Sequence, residues 1–176
     1  MDIRSDLLIR ADLDRVWDLT VDVERWPDLG PTMTSVTRLD DGPLRVGSTA
    51  RVVQPFQRPT VWTVTHLEPR QSFEWFAKVG TITMTARHRL VPEADGVRNE
   101  LSVEFSGLGS RLARRLIGSK IREAITIENE GFRRLAESVG PIVTDAPTVA
   151  PTDAPTDAPT DTTVEAAADD RRAARL

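Results

Sequence analysis

Thirty consecutive residues, 110 to 139, read SRLARRLIGSKIREAITIENEGFRRLAESV without a proline. Leu112, Leu116, Ile117, Ile121, Ala124, Glu128, Phe132 and Leu135 follow one another at helical spacing and predict a single stripe. At 1.5 Å of rise per residue such a helix is about 45 Å long. A stripe of that length needs an apolar partner equally extended, which the preceding sequence has to supply.

It does so with strands. Segments 32–40, 47–55, 60–68, 71–78, 81–91 and 97–106 have strand character and are separated by DDGP (40–43), QRP (57–59), EPRQ (68–71), Gly80 and PEADG (92–96). Connections this short make neighbouring strands antiparallel. Because strand side chains alternate, one face collects Ala50, Val52 and Gln54, then Trp62, Val64 and His66, then Phe73, Trp75 and Ala77. It continues with Ile82, Met84, Ala86 and His88, and with Leu101, Val103 and Phe105; the other face is Thr, Arg, Glu and Lys. An antiparallel sheet covered on one side only has this pattern, and the long helix is the element large enough to cover it. Ahead of these strands, residues 2–10 end in a short β-like run. ADLDRVWDLTVDVERWPDLG (11–30) then predicts two small helices, the first with Asp12 as N-cap, the second closed by Pro27 and Gly30.

Composition divides the chain near Gly140. Residues 140–176 hold three consecutive Ala-Pro-Thr-Asp copies, seven acids and three arginines, so they account for the whole formal charge of −4. Their proline-spaced polar text predicts an extended, solvated tail whose deletion leaves thermal stability nearly unchanged. Residues 1–139 then form the folded domain, with 20 basic and 20 acidic side chains. That balance argues against a general nucleic-acid partner. There is no cysteine, hence no disulfide or thiol chemistry. The N-terminus lacks a basic n-region and a long apolar run, and no segment approaches the ~20 apolar residues of a membrane span, so the expectation is a cytoplasmic protein without integral membrane association.

The order of strand, two short helices, six strands and one long helix, with DLDRVWDLTVDVERWPDL, GPLRVGSTARVVQP and ARHRLVPEADGVRNELSVEFSG in place, resembles the START-like (SRPBCC) superfamily over residues 2–138. It looks closest to the polyketide cyclase/dehydrase branch. The resemblance implies an α+β helix-grip fold: a curved seven-stranded antiparallel sheet wrapped around the C-terminal helix. It also implies a space between helix and sheet. Members that act as cyclases often use pocket Tyr, Arg or Ser/Thr groups, and this chain has no tyrosine.

The alternation names what would line such a space. Trp62, Val64, Phe73, Trp75, Met84 and Phe105 are expected as its apolar wall, with Gln54 and His88 as polar ligand-binding points. His66 and Glu128 face the same way on the same counting. The alternative reading of these aromatics is a dry core closed on itself. His88, in TITMTARHRL (81–90), needs a partner: Glu128, water or a ligand oxygen. Should His88 and Glu128 meet, the carboxylate would raise the histidine pKa and free one ring nitrogen for proton transfer, making this pair the best candidate for catalysis. Two histidines without cysteine give no metal site, and no cofactor is expected. Three functions fit: a binder of a hydrophobic, lipid- or polyketide-like molecule; a polyketide cyclase or dehydratase with histidine as general base; and an interaction module using Arg51, Arg87 and Arg89 on the outer face. A monomer or weak dimer is expected. Arg111, Arg114, Arg115, Lys120 and Arg122 make the start of the long helix basic and amphipathic, which fits a solvated face over a core stripe or, alternatively, a membrane-surface or acidic-partner contact.

Overall fold

The computed structural model describes residues 2–55 and 57–138; the repeat-bearing tail lies outside them. The elements follow the expected order: β1 (Ile3–Ile9), α1 (Leu13–Val21), a 3-10 helix (Val23–Leu29), β2 (Ser35–Arg38), β3 (Thr49–Val53), β4 (Thr60–Glu68), β5 (Ser72–Val79), β6 (Ile82–Glu93), β7 (Gly96–Gly107) and α2 (Ser110–Glu137). The seven strands form one curved antiparallel sheet in the order β1-β7-β6-β5-β4-β3-β2. From β2 onward each strand pairs with the next, as the punctuation demands. β1 closes on β7 across the length of the domain, with Ile3 opposite Val103 and Ile9 opposite Val97.

α2 lies on the inner face, but only its C-terminal half is buried there, through Ile125, Glu128, Asn129, Gly131, Phe132 and Ala136. The expected stripe is therefore too long. At about 100° per residue, Ile117, Ile121, Ala124, Glu128, Phe132 and Leu135 share a face, whereas Leu112 and Leu116 are turned to the opposite side. The single-residue step from Leu116 to Ile117 crosses from one face to the other. Leu112 and Leu116 are exposed.

Two devices fix the helix against its neighbours. Asn99 on β7 and Asn129 on α2 are fully buried; Asn99 Nδ2 donates to Asn129 Oδ1 and Asn129 Nδ2 donates to the Asn99 carbonyl, each at 3.1 Å. Two residues on, on another side of the helix, a Cβ on Gly131 would stand 2.1 Å from the Leu29 carbonyl oxygen, so only glycine lets the 3-10 helix come this close. The Arg134 guanidinium donates to the carbonyls of Asp28 and Leu29, and Arg15 donates to those of Leu135 and Ala136 at the end of α2. Arg134 thus anchors the 3-10 helix, while Arg15 from α1 serves the negative end of the α2 dipole. Asp12 stands at the N-cap of α1 as predicted, although its side chain makes no capping bond.

Candidate functional site

His88 and Glu128 come together. His88 is 3% exposed and Glu128 6%, with His88 Nε2 3.6 Å from Glu128 Oε1. The strand alternation brings His88 inward between Phe73 on β5 and Leu101 on β7. The Asn99–Asn129 bond, one residue along α2, sets the helix rotation that presents Glu128. Aromatic rings surround the imidazole: Trp26 at 4.8 Å between centroids, Phe73 at 5.6 Å and Phe132 at 5.7 Å.

That enclosure decides the charge state. Burial pushes His88 down to about 3 and Glu128 up to about 8, because each charged form would lose its water and gain only one distant partner. The expectation that a carboxylate raises the histidine pKa is reversed: burial holds each group toward its uncharged form. A protonated Glu128 facing Nε2 favours the tautomer with the proton on Nδ1. His88 Nδ1 has no hydrogen-bond partner among the described residues, and neither has the buried Trp62 Nε1. The Trp26 indole, by contrast, donates to the Leu19 carbonyl at 3.2 Å.

Both unpartnered residues border a space of about 70 Å³ between sheet and helix. Gln54, Trp62, Trp75, Met84, His88 and Glu128 line it; Val64, Phe73 and Phe105 do not. Val64 and Phe73 pack within the main core, and Phe105 borders a separate crevice beside the start of α2. Sequence reasoning missed Trp26, Met33, Ile121 and Ile125, which also line the space. Trp26 hangs from the 3-10 helix, where no strand alternation applies. The dry-core reading holds in part, since the rings of Trp26, Trp62 and Phe73 all pack on Trp75, at centroid distances of 5.0, 5.1 and 5.3 Å. Gln54, Gln57, Ile121 and Ala124 border both this space and an adjoining groove of about 500 Å³.

His66 is not inside. A β-bulge between Val64 and His66 shifts the register, so Leu67 packs toward the core instead and the imidazole lies exposed, 2.9 Å from Ser72 Oγ. On the outer face Arg87 pairs with Glu74 and Arg89 with Glu100 across the strands, which neutralises two of the three arginines considered for an interaction surface. Among the described residues no group of three or more His, Cys, Asp or Glu could hold a metal ion, and no helix is long and apolar enough to cross a membrane.

The family described as polyketide cyclase / dehydrase and lipid transport matches residues 2–137. Among solved structures, the protein TTHA0849 from Thermus thermophilus superposes with a TM-score of 0.64 at 16% identity, covering 80% of this chain and 99% of that one. The di-domain ARO/CYC StfQ from the steffimycin biosynthetic pathway gives 0.66 at 12% identity, over 78% of this chain and 50% of its own. The hypothetical protein jhp0584 from Helicobacter pylori gives 0.63 at 11% identity, over 77% and 88%. No curated protein matches the sequence. Likeness at these identities carries the fold alone; the match along residues 2–137 carries the family, and the chain belongs to the polyketide cyclase/dehydrase and lipid transport family.

Proposed function

We propose that the protein binds a hydrophobic small molecule, lipid- or polyketide-like, with its polar end in the inner space and its apolar body along the adjoining groove. The observation that carries this reading is the pair of buried, unpartnered nitrogens, Trp62 Nε1 and His88 Nδ1, on two residues that border one mostly apolar space. A buried donor without an acceptor costs about 1–3 kcal/mol, which a ligand oxygen would recover. With Glu128 protonated, both nitrogens act as donors, so the complementary group is an acceptor: a carbonyl, ester or hydroxyl oxygen. At about 30 Å³ per water-sized volume, the inner space suits a head of a few atoms, whereas the groove has the size of ordinary small-molecule sites.

The charge states favour binding over base catalysis. An imidazole held at about 3 is a poor acceptor of a substrate proton at pH 7. A second reading rests on Glu128, which at about 8 retains its proton under neutral conditions and is a competent acid. In that reading the site is a cyclase or dehydratase in which Glu128 protonates a leaving hydroxyl or a carbonyl oxygen. The test uses the molecule extracted from protein purified from its source cells. Replacing His88 with Gln should keep its affinity within about tenfold, ~1.4 kcal/mol. A drop in turnover of about a hundredfold or more in Glu128→Gln, with binding retained, would replace the binding reading by the enzymatic one.

A further inference from the structure

The first turns of α2 hold two leucines in water. Leu112 is 61% exposed and Leu116 68%, and Leu108, in the turn just before the helix, is 83% exposed. Gly107 and Gly109 on either side of Leu108 have φ of +95° and +87°, and the Leu108 carbonyl accepts a hydrogen bond from Thr81 Oγ1 at 2.9 Å. The turn is therefore a held one that projects its leucine outward. Along the helix, Leu112 and Leu116 occupy one outward strip.

The same segment concentrates positive charge. Residues 110–122 contain Arg111, Arg114, Arg115, Lys120 and Arg122 and no acid, so the rest of an otherwise neutral body is −5. None of Arg111, Arg114, Arg115 and Lys120 is ion-paired among the described residues. At about 100° per residue, Arg111, Arg115 and Arg122 flank the leucine strip on one side and Lys120 flanks it on the other. Ser110, Ser119 and the arginines also border a crevice of about 720 Å³ beside the helix.

We infer that this end of the molecule, the Leu108 turn together with the outward strip of α2, docks on the surface of an anionic phospholipid bilayer. Leucines on a convex tip can enter the boundary between headgroups and acyl chains, while flanking guanidiniums remain at the level of the phosphates. A nucleic acid would reward the arginines but leave three leucines in water. The charge complementarity and the apolar strip together select a lipid surface.

Vesicle flotation of the full chain tests this. Binding is expected to phosphatidylcholine vesicles containing about 30 mol % phosphatidylglycerol, not to phosphatidylcholine alone, and to weaken steeply as salt rises from about 0.05 to 0.5 M. Replacing Leu112 and Leu116 together by Ser, or Arg111 and Arg115 together by Gln, should each reduce partitioning by about tenfold or more. Leu108→Asp should act in the same direction, with thermal melting unchanged because all these side chains are exposed. The inference is overturned by any of three results: no binding to anionic vesicles at low salt, binding indifferent to the leucine substitutions, or tighter retention of the protein by duplex DNA or polyaspartate than by the vesicles.

Discussion

Across the inner space, burial drives His88 and Glu128 in opposite directions on the pH scale, each toward its uncharged form. For His88 the folded value of about 3 lies below the ordinary 6.5, so its contribution to stability is present above 6.5 and lost as pH falls toward 3. For Glu128 the folded value of about 8 lies above 4.5, so its contribution is present below 4.5 and lost as pH rises through 8. Between 4.5 and 6.5 the two slopes oppose each other. Above 6.5 only Glu128 is left, at about 1.4 kcal/mol per pH unit. Denaturant unfolding should therefore show a loss of about 2 kcal/mol from pH 6.5 to 8 that is absent in Glu128→Gln. Equal slopes in the two proteins would mean that Glu128 is ionised in the fold. Asn129→Ala, which strands the Asn99 amide in the core, should cost about 1–3 kcal/mol in the same assay. His88 and Glu128 were legible because each lies in phase with an apolar pattern. Asn99 is in phase with Leu101 as well, but a polar residue in that phase announces nothing until its partner on α2 is known.

At the level of elements, the 3-10 helix and α2 meet backbone to backbone at Gly131. An alanine there would gain about 1 kcal/mol of helix propensity and drive a methyl into the Leu29 carbonyl, so Gly131→Ala should destabilise by about 1–3 kcal/mol in thermal or chemical unfolding. A neutral or stabilising result would mean that the two helices separate readily. Alternation located β4 to β7 well because their pairings are regular over long runs. It failed at His66, where one inserted residue at the bulge reverses the phase for the rest of β4. At 100° per residue the single step from Leu116 to Ile117 already puts Leu112 and Leu116 off the buried face, although spacings of three, four and one all look helical in short windows. The misread leucines are the ones left exposed at the basic end of α2.

The whole domain is closed by its first strand. β1 covers the β7 edge and buries Ile3 and Ile9, so deleting residues 2–10 should leave the outer edge of β7 unpaired and yield an unfolded or aggregated chain by circular dichroism and gel filtration. A monomeric, cooperatively melting product would show that β1 is dispensable. The pairing of β1 with β7 that makes this closure was not readable from hairpin spacing, which links only neighbours. The sheet, once closed, holds Trp62 and His88 beside α2 with two nitrogens unpartnered among the described residues, and we propose that an oxygen-bearing apolar molecule occupies that space. This occupancy is tested most directly by nitrogen-15 NMR of protein purified from its source cells, compared before and after solvent extraction and refolding. The Trp62 indole N–H and the His88 ring nitrogens should shift on extraction while the Trp17 indole, which does not border the space, stays in place. Unchanged Trp62 and His88 signals, with no molecule recovered in the extract, would contradict it.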